Sequence, residues 1–245
     1  MHLVKFFALF VAVTFLAPMA AASVWWASND TPTSWRTANW SATGLLPDPA
    51  ATDDAAIYVL AARTGGFRGA FAVHSWIVLK SVGSIRYERY DKVGWGSPIR
   101  RDAYSADAAW YSNEPWIVAR LDGRDAEAAL PMVRAAIASY PHGERGDYRI
   151  WPGPNSNSFV AHVLREVPAI DTVLPPNAVG RNFLPNGNWF ALDPDGRDLH
   201  VSIAGLAGFS AGWRSGIEFH LLGQTLGIDI KKPALKLPAI GRVGL

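Results

Sequence analysis

The apolar residues of this chain are spaced in two ways. Between Ala56 and Lys80 they form near-continuous runs, AIYVLAAR and FAVHSWIVLK, parted by the GGFRG turn. From Leu199 onwards they come as short pieces broken by glycine. The first spacing predicts strands over Ala56–Arg63 and Phe71–Lys80. Ser84–Val93 follows as a strand, with Ile85, Tyr87 and Arg89 in alternation, and then Trp116–Leu121, after a loop over Gly94–Ala109. Asp122 is placed to cap a helix over Arg124–Tyr140 whose buried stripe is Ala129, Leu130, Val133, Ala136 and Ile137. Pro131 inside it predicts a kink, or a start near Leu130. A short strand-like run, Tyr148–Trp151, meets a Pro/Gly turn and then Asn155 as the N-cap of a second helix. That helix opens at Ser156, carries Phe159, Val160, Val163 and Val167 on one face, and ends before Pro168. A turn-rich connection spans Leu174–Arg197. Leu199–Ile230 reads as strands of a glycine-punctuated antiparallel sheet, with a membrane-facing hairpin as the alternative. The proline-spaced tail KKPALKLPAIGRVGL is expected to lie extended over the domain.

These elements predict an α+β fold. Residues 56–198 form an antiparallel sheet with two main helices, and 199–245 a Gly-rich β region of the same domain. Residues 1–22 are set apart. Lys5, the apolar run Phe6–Phe15 and Ala20-Ala21-Ala22 before Ser23 form a secretory signal pattern, and Val24, Trp25 and Trp26 prolong the run to that of an uncleaved membrane anchor. Residues 23–55, rich in Ser, Thr, Asp, Pro and Gly, read as an extended lead-in. The expected location is therefore exported, periplasmic or tethered to the inner membrane and facing the periplasm.

Composition narrows the chemistry. With no cysteine, there is no disulfide, thiolate nucleophile or Cys-based metal site. A net charge of +2 gives no argument for nucleic acid. His142, His162, His200 and His220 show no ligand spacing, so neither metal nor cofactor is expected. Trp25, Trp26, Trp35 and Trp40 crowd the amino end, as packing and membrane-proximal residues or as sugar-stacking surfaces. Glu88, Asp91, Asp102 and Asp107 read as surface carboxylates, and the basic tail residues Lys231, Lys232, Lys236 and Arg242 as solvated charge.

Two serines stand in reactive contexts. Ser156 begins a helix, where free N–H groups and the dipole suit a nucleophile or an anion, and His74 lies in an apolar strand that demands a polar partner. As a pair, His74 would accept the Ser156 proton and the helix N–H groups would hold an oxyanion, with Glu88 or Tyr90 on the next strand orienting the imidazole. Asn155, Asn157, Ser158 and Trp151 would then contact the ligand. The simpler alternative makes Ser156 a capping hydroxyl and His74 a satisfied core histidine. Ser210 sits in GFSAG, which satisfies G-x-S-x-G, but GWRSGIEF after it lacks the helix a nucleophile elbow needs.

NSNSFV resembles the Asn-Cys-x-x-Phe signature of the circularly permuted branch of the papain-like NlpC-type amidase superfamily, in which the strand histidine precedes the helix nucleophile. The resemblance implies a permuted papain-like core, with His74 as base, Asn155 and Ser156 near the oxyanion and Phe159 packing the helix; serine replaces the family's cysteine. HSWIVLK, YRIWPGPNSNSFVAHVLREVP and PALKLPAIGRVGL together resemble a family of exported or membrane-associated proteobacterial proteins that is a domain of unknown function. The expected function is an envelope protein that hydrolyses an amide or ester through Ser156 and His74. The alternatives are a catalytically degenerate module that binds or scaffolds a small-molecule or envelope ligand, and a membrane-tethered structural protein.

Overall fold

The computed structural model describes residues 1–32 and 34–244; Thr33 in the lead-in and Leu245 at the end of the tail lie outside them. The chain opens with α1 (His2–Ala27), a helix long and apolar enough to cross a membrane. A signal sequence and a membrane anchor both have this character. The first sheet holds β1 (Ala56–Arg63), β2 (Val73–Lys80), β3 (Glu88–Lys92), β4 (Ile99–Arg101) and β5 (Trp116–Asp122), all pairing antiparallel in the order β4-β3-β2-β1-β5. All of β2 and nearly all of β1 are buried. Both faces of the sheet are covered at these two central strands, which explains why they read as continuous apolar runs and not as alternation. One face, with Ile57, Val59, Val73, Ile77 and Leu79, packs against α2 (Gly123–Ala138) and α3 (Ser156–Glu166). The other, with Tyr58, Leu60, Trp76 and Val78, lies under a loop layer carrying Leu46, Trp40, Tyr104 and Trp110.

α2 runs unbroken through Pro131, which is exposed. The stripe Ala129, Leu130, Val133, Ala136 and Ile137 carries the helix across the missing N–H, so it does not start at Leu130. Asp122 occupies the N-cap position but makes no side-chain cap; its carboxylate accepts from Arg120 Nε instead. α3 keeps its expected bounds. Asn155 Oδ1 accepts from the backbone N–H groups of Asn157 and Ser158, and the Ser158 hydroxyl accepts from Asn155 N, a reciprocal capping box. Tyr148–Trp151 is not a strand. Its backbone bends, and Arg149 N donates to Pro154 O across the turn.

The second sheet is a seven-stranded meander: β6 (Phe190–Leu192), β7 (Asp198–Ile203), β8 (Ala207–Gly212), β9 (Gly216–Leu221), β10 (Gln224–Asp229), β11 (Ala234–Leu237) and β12 (Gly241–Gly244). The tail expected to lie extended over the domain therefore supplies two further strands of the sheet. Registration sorts side chains into two unlike faces. One cross-strand row runs Leu192, Leu199, Ala211, Ile217, Ile228, Leu235, Val243, and a second runs Phe190, Val201, Phe209, Phe219, Leu226. The opposite face carries Asp198, His200, Ser202, Ser210, Glu218, His220, Thr225 and Lys236, and it is this polar face that is buried. Along β9 the pattern is explicit: Gly216, Glu218 and His220 are buried while Ile217 and Phe219 are exposed.

Candidate functional site

The amino end of β2 and the start of α3 meet at a cavity of about 1100 Å³. The junction is held by Asn157, the second residue of α3. Its Oδ1 accepts from Ser75 Oγ at 2.8 Å, and its Nδ2 donates to the carbonyls of Val73 and Val179, both at 2.9 Å. Asn155 Nδ2 donates to Ile150 O and Val179 O. Ser75 and His74 alternate across the strand, so while Ser75 reaches the helix, His74 turns to the aromatic face. There its ring stacks on Trp110, with centroids 3.7 Å apart and planes 8° apart.

His74 and Ser156 both line this cavity. No hydrogen bond joins them, and among the described residues the Ser156 hydroxyl has no hydrogen-bond partner. His74 Nε2 is fully buried and lacks a hydrogen bond, but the Asp91 carboxylate stands 3.8 Å away, a Coulombic contact too long for a hydrogen bond. Burial pushes the His74 imidazole below its ordinary value, against the pull of Asp91, and so favours the neutral ring. Burial would raise the Asp91 carboxyl, but His74, Arg89 and Arg100 hold it at about 2.

The sequence places Asp91 among surface carboxylates and offers Glu88 and Tyr90 as the next-strand partners of His74. The register Val78↔Arg89 explains the difference, because it sets residues 89 and 91 on the His74 face and 88 and 90 on the helix face. Glu88 accepts from Arg134 of α2 at 2.6 Å, which holds its carboxyl at about 2, and Tyr90 OH donates to Glu88. Neither is the carboxylate beside His74. Of the expected ligand contacts, Asn155, Asn157 and Trp151 line the cavity and Ser158 does not. The amides of Asn155 and Asn157 are committed to the helix start, Ser158 Oγ bonds Tyr140, and Trp151 Nε1 donates to Leu222 O. The cap consumes the N–H groups of Asn157 and Ser158, which leaves Ser156 N as the first-turn donor without a partner among the described residues.

The remaining walls are largely apolar and aromatic. Val11, Phe15, Leu16 and Met19 of α1 contribute one, and Trp95, Trp110, Tyr111 and Tyr148 others, with Arg68 and Arg149 as the cations. α1 is seated by Trp26, buried against Gly69, where a Cβ would overlap the indole, and by Arg63, whose guanidinium lies 4.8 Å from the Trp25 ring.

The structure brings a second polar array together in the other sheet. Asp193 Oδ1 accepts from His200 Nε2 at 3.1 Å, His200 Nδ1 accepts from Ser210 Oγ at 3.0 Å, and Ser210 accepts from His220 Nε2 at 2.9 Å; Thr225 closes the chain on His220 Nδ1. Acid, base and serine stand in line without the strand–helix elbow that GFSAG suggests. Only the strand register, which pairs His200 with Ser210, reveals the arrangement. The adjoining cavity, about 30 Å³, admits water and not an acyl substrate. Among the described residues no group of three or more acidic or histidine side chains could hold a metal ion.

Searches of curated proteins and of solved structures return no match to this chain. A family model does match, over residues 54–183, more than half of the chain and the whole span from β1 to the segment after α3. The chain thus belongs to the family described as Protein of unknown function (DUF3750).

Proposed function

We propose that this is an envelope protein that holds an amphiphilic, carbonyl-bearing molecule in the cavity between α1, β2 and α3, with an acyl lipid as the substrate class. The observation that carries this reading is the composition of the walls. Apolar side chains of α1 and the aromatic cluster suit a hydrocarbon chain, while Arg68, Arg149, His74 and the start of α3 offer charge and hydrogen bonds to a head group. A peptidoglycan peptide, polar along its length, would leave the α1 wall unused.

A second reading adds chemistry, and the Asp91 carboxylate behind His74 favours it. Nε2 faces Asp91, so Nδ1 is the ring nitrogen left for the cavity. A neutral imidazole there is in the protonation state of a general base. In this hydrolytic reading Ser156 attacks the carbonyl carbon, His74 takes the hydroxyl proton and returns it to the leaving group, and Ser156 N–H holds the oxyanion. Water then releases the acyl group from Ser156. The permuted papain-like core read from NSNSFV belongs to this proposal. Its support is a strand histidine and the first residue of a later helix on one cavity.

Labelling with a fluorophosphonate tests the chemistry. Loss of label in both Ser156→Ala and His74→Ala, with Ser210→Ala still labelled, is the result expected of a Ser156 hydrolase. Absence of label in the wild type restricts the cavity to binding. Loss in Ser210→Ala alone moves the reaction to the second sheet.

A further inference from the structure

We infer that the outer face of the second sheet lies on a lipid bilayer, in the acyl–headgroup boundary. The face is apolar across seven strands: no charged side chain falls on it, and Gln224, which turns back to Phe71 O and Ala239 N, is its one polar residue. Its residues are open, with Phe219, Ile228 and Leu235 each 53 % exposed and Phe190 48 %. A contiguous apolar surface of this kind on a soluble chain marks a partner or a membrane.

The sheet is not simply turned the wrong way. Its inner face is polar and its charges are paired: Glu218 with Arg181 and Lys236, Asp198 with Arg214, and His200 with Asp193. Exposing that face and burying the apolar one would break these buried ion pairs, which is strongly destabilising. The inner side is fixed by its hydrogen bonds, and the outer side is left to find an apolar medium.

That medium is indicated by α1. Leu221 of the outer face and Val11, Phe15 and Leu16 of α1 line the same cavity, so the two apolar surfaces adjoin. α1 also shows a second apolar side, with Leu3, Phe6, Phe7 and Leu9 exposed. A second copy stacked on the sheet would cover its face and leave α1 bare, whereas one bilayer covers both. Trp189 and Trp213, each beside a strand end and exposed, are the residue type that settles at such a boundary.

Because the chain has no cysteine, single-cysteine probes report on this directly. The full chain carrying Phe219→Cys, Ile228→Cys or Leu235→Cys, labelled with an environment-sensitive NBD dye, is reconstituted into phosphatidylethanolamine/phosphatidylglycerol vesicles containing nitroxide-labelled lipid. Glu127→Cys on the exposed side of α2 is the reference. The expected result is quenching by lipid nitroxides several-fold stronger at the three sheet positions than at the reference. Quenching equal to the reference overturns the inference. So does shielding of the three probes from both lipid nitroxide and aqueous iodide, together with oxidative disulfide capture between copies of the same variants left unlabelled, since a second copy then covers the face. Three separate surface positions guard against one label disturbing the fold.

Discussion

Asn157 ties the two halves of the candidate site together with three hydrogen bonds, to Ser75, Val73 and Val179. Replacing it with alanine leaves the buried Val73 carbonyl without a donor and the buried Ser75 hydroxyl without an acceptor, while Val179 O keeps Asn155 Nδ2, and Asn157→Ala is expected to cost about 1–3 kcal/mol in denaturant unfolding. A cost below a few tenths would show that water takes over these bonds. Gly180 plays a complementary part. At φ +92° its missing Cβ leaves room for the Asn155 amide 2.4 Å from where that carbon would stand, so Gly180→Ala should displace the α3 cap. At this scale the sequence was informative where chemistry is local. Asn155 as cap, Ser156 as first helical residue and His74 as a buried strand histidine follow from neighbours along the chain. Asp91 did not, because choosing it over Glu88 requires the β2–β3 register, and a shift of one residue exchanges the faces.

Among the elements, α2 tolerates Pro131 because tertiary packing of its apolar stripe outweighs one lost backbone hydrogen bond. Pro131→Ala restores an N–H donor at an exposed position and should raise stability, by up to about 3 kcal/mol; a lowered Tm would mean the proline is needed to shape the helix. α1 rests on the domain through Trp26, and Trp26→Ala should increase protease cleavage within residues 28–40 while leaving the sheets intact. Unchanged cleavage would mean that other contacts hold the helix. For the second sheet the period of two was readable in LHVSI and GIEFH, but the side was not. Alternation shows that a strand has two faces, and only the ion pairs and hydrogen bonds made in three dimensions decide that here the polar face goes inside.

For the molecule as a whole, buried histidines set the response to acid. Burial pushes His74 below its ordinary value, His162 to about 4 and His220 to about 3. The unfolded chain takes up protons at these sites below pH ~6.5 while the folded chain refuses them, so stability rises with pH across that window. Above it these groups contribute no slope. Further acidification toward the values of about 2 held by Glu88, Asp91 and Glu218 removes their stabilising pairs as well. Tm should therefore fall as the pH drops below ~6.5; a rise on going from pH 6.5 to 5.5 would contradict the burial of these rings. If the cavity holds an acyl lipid, the detergent-solubilised full chain binds an NBD-labelled acyl ester saturably. Ala72→Trp, which places an indole in the wall, should abolish that binding, while Ser156→Ala retains it. Absence of saturable binding, or binding indifferent to Ala72→Trp, would mean that this cavity is not a lipid site.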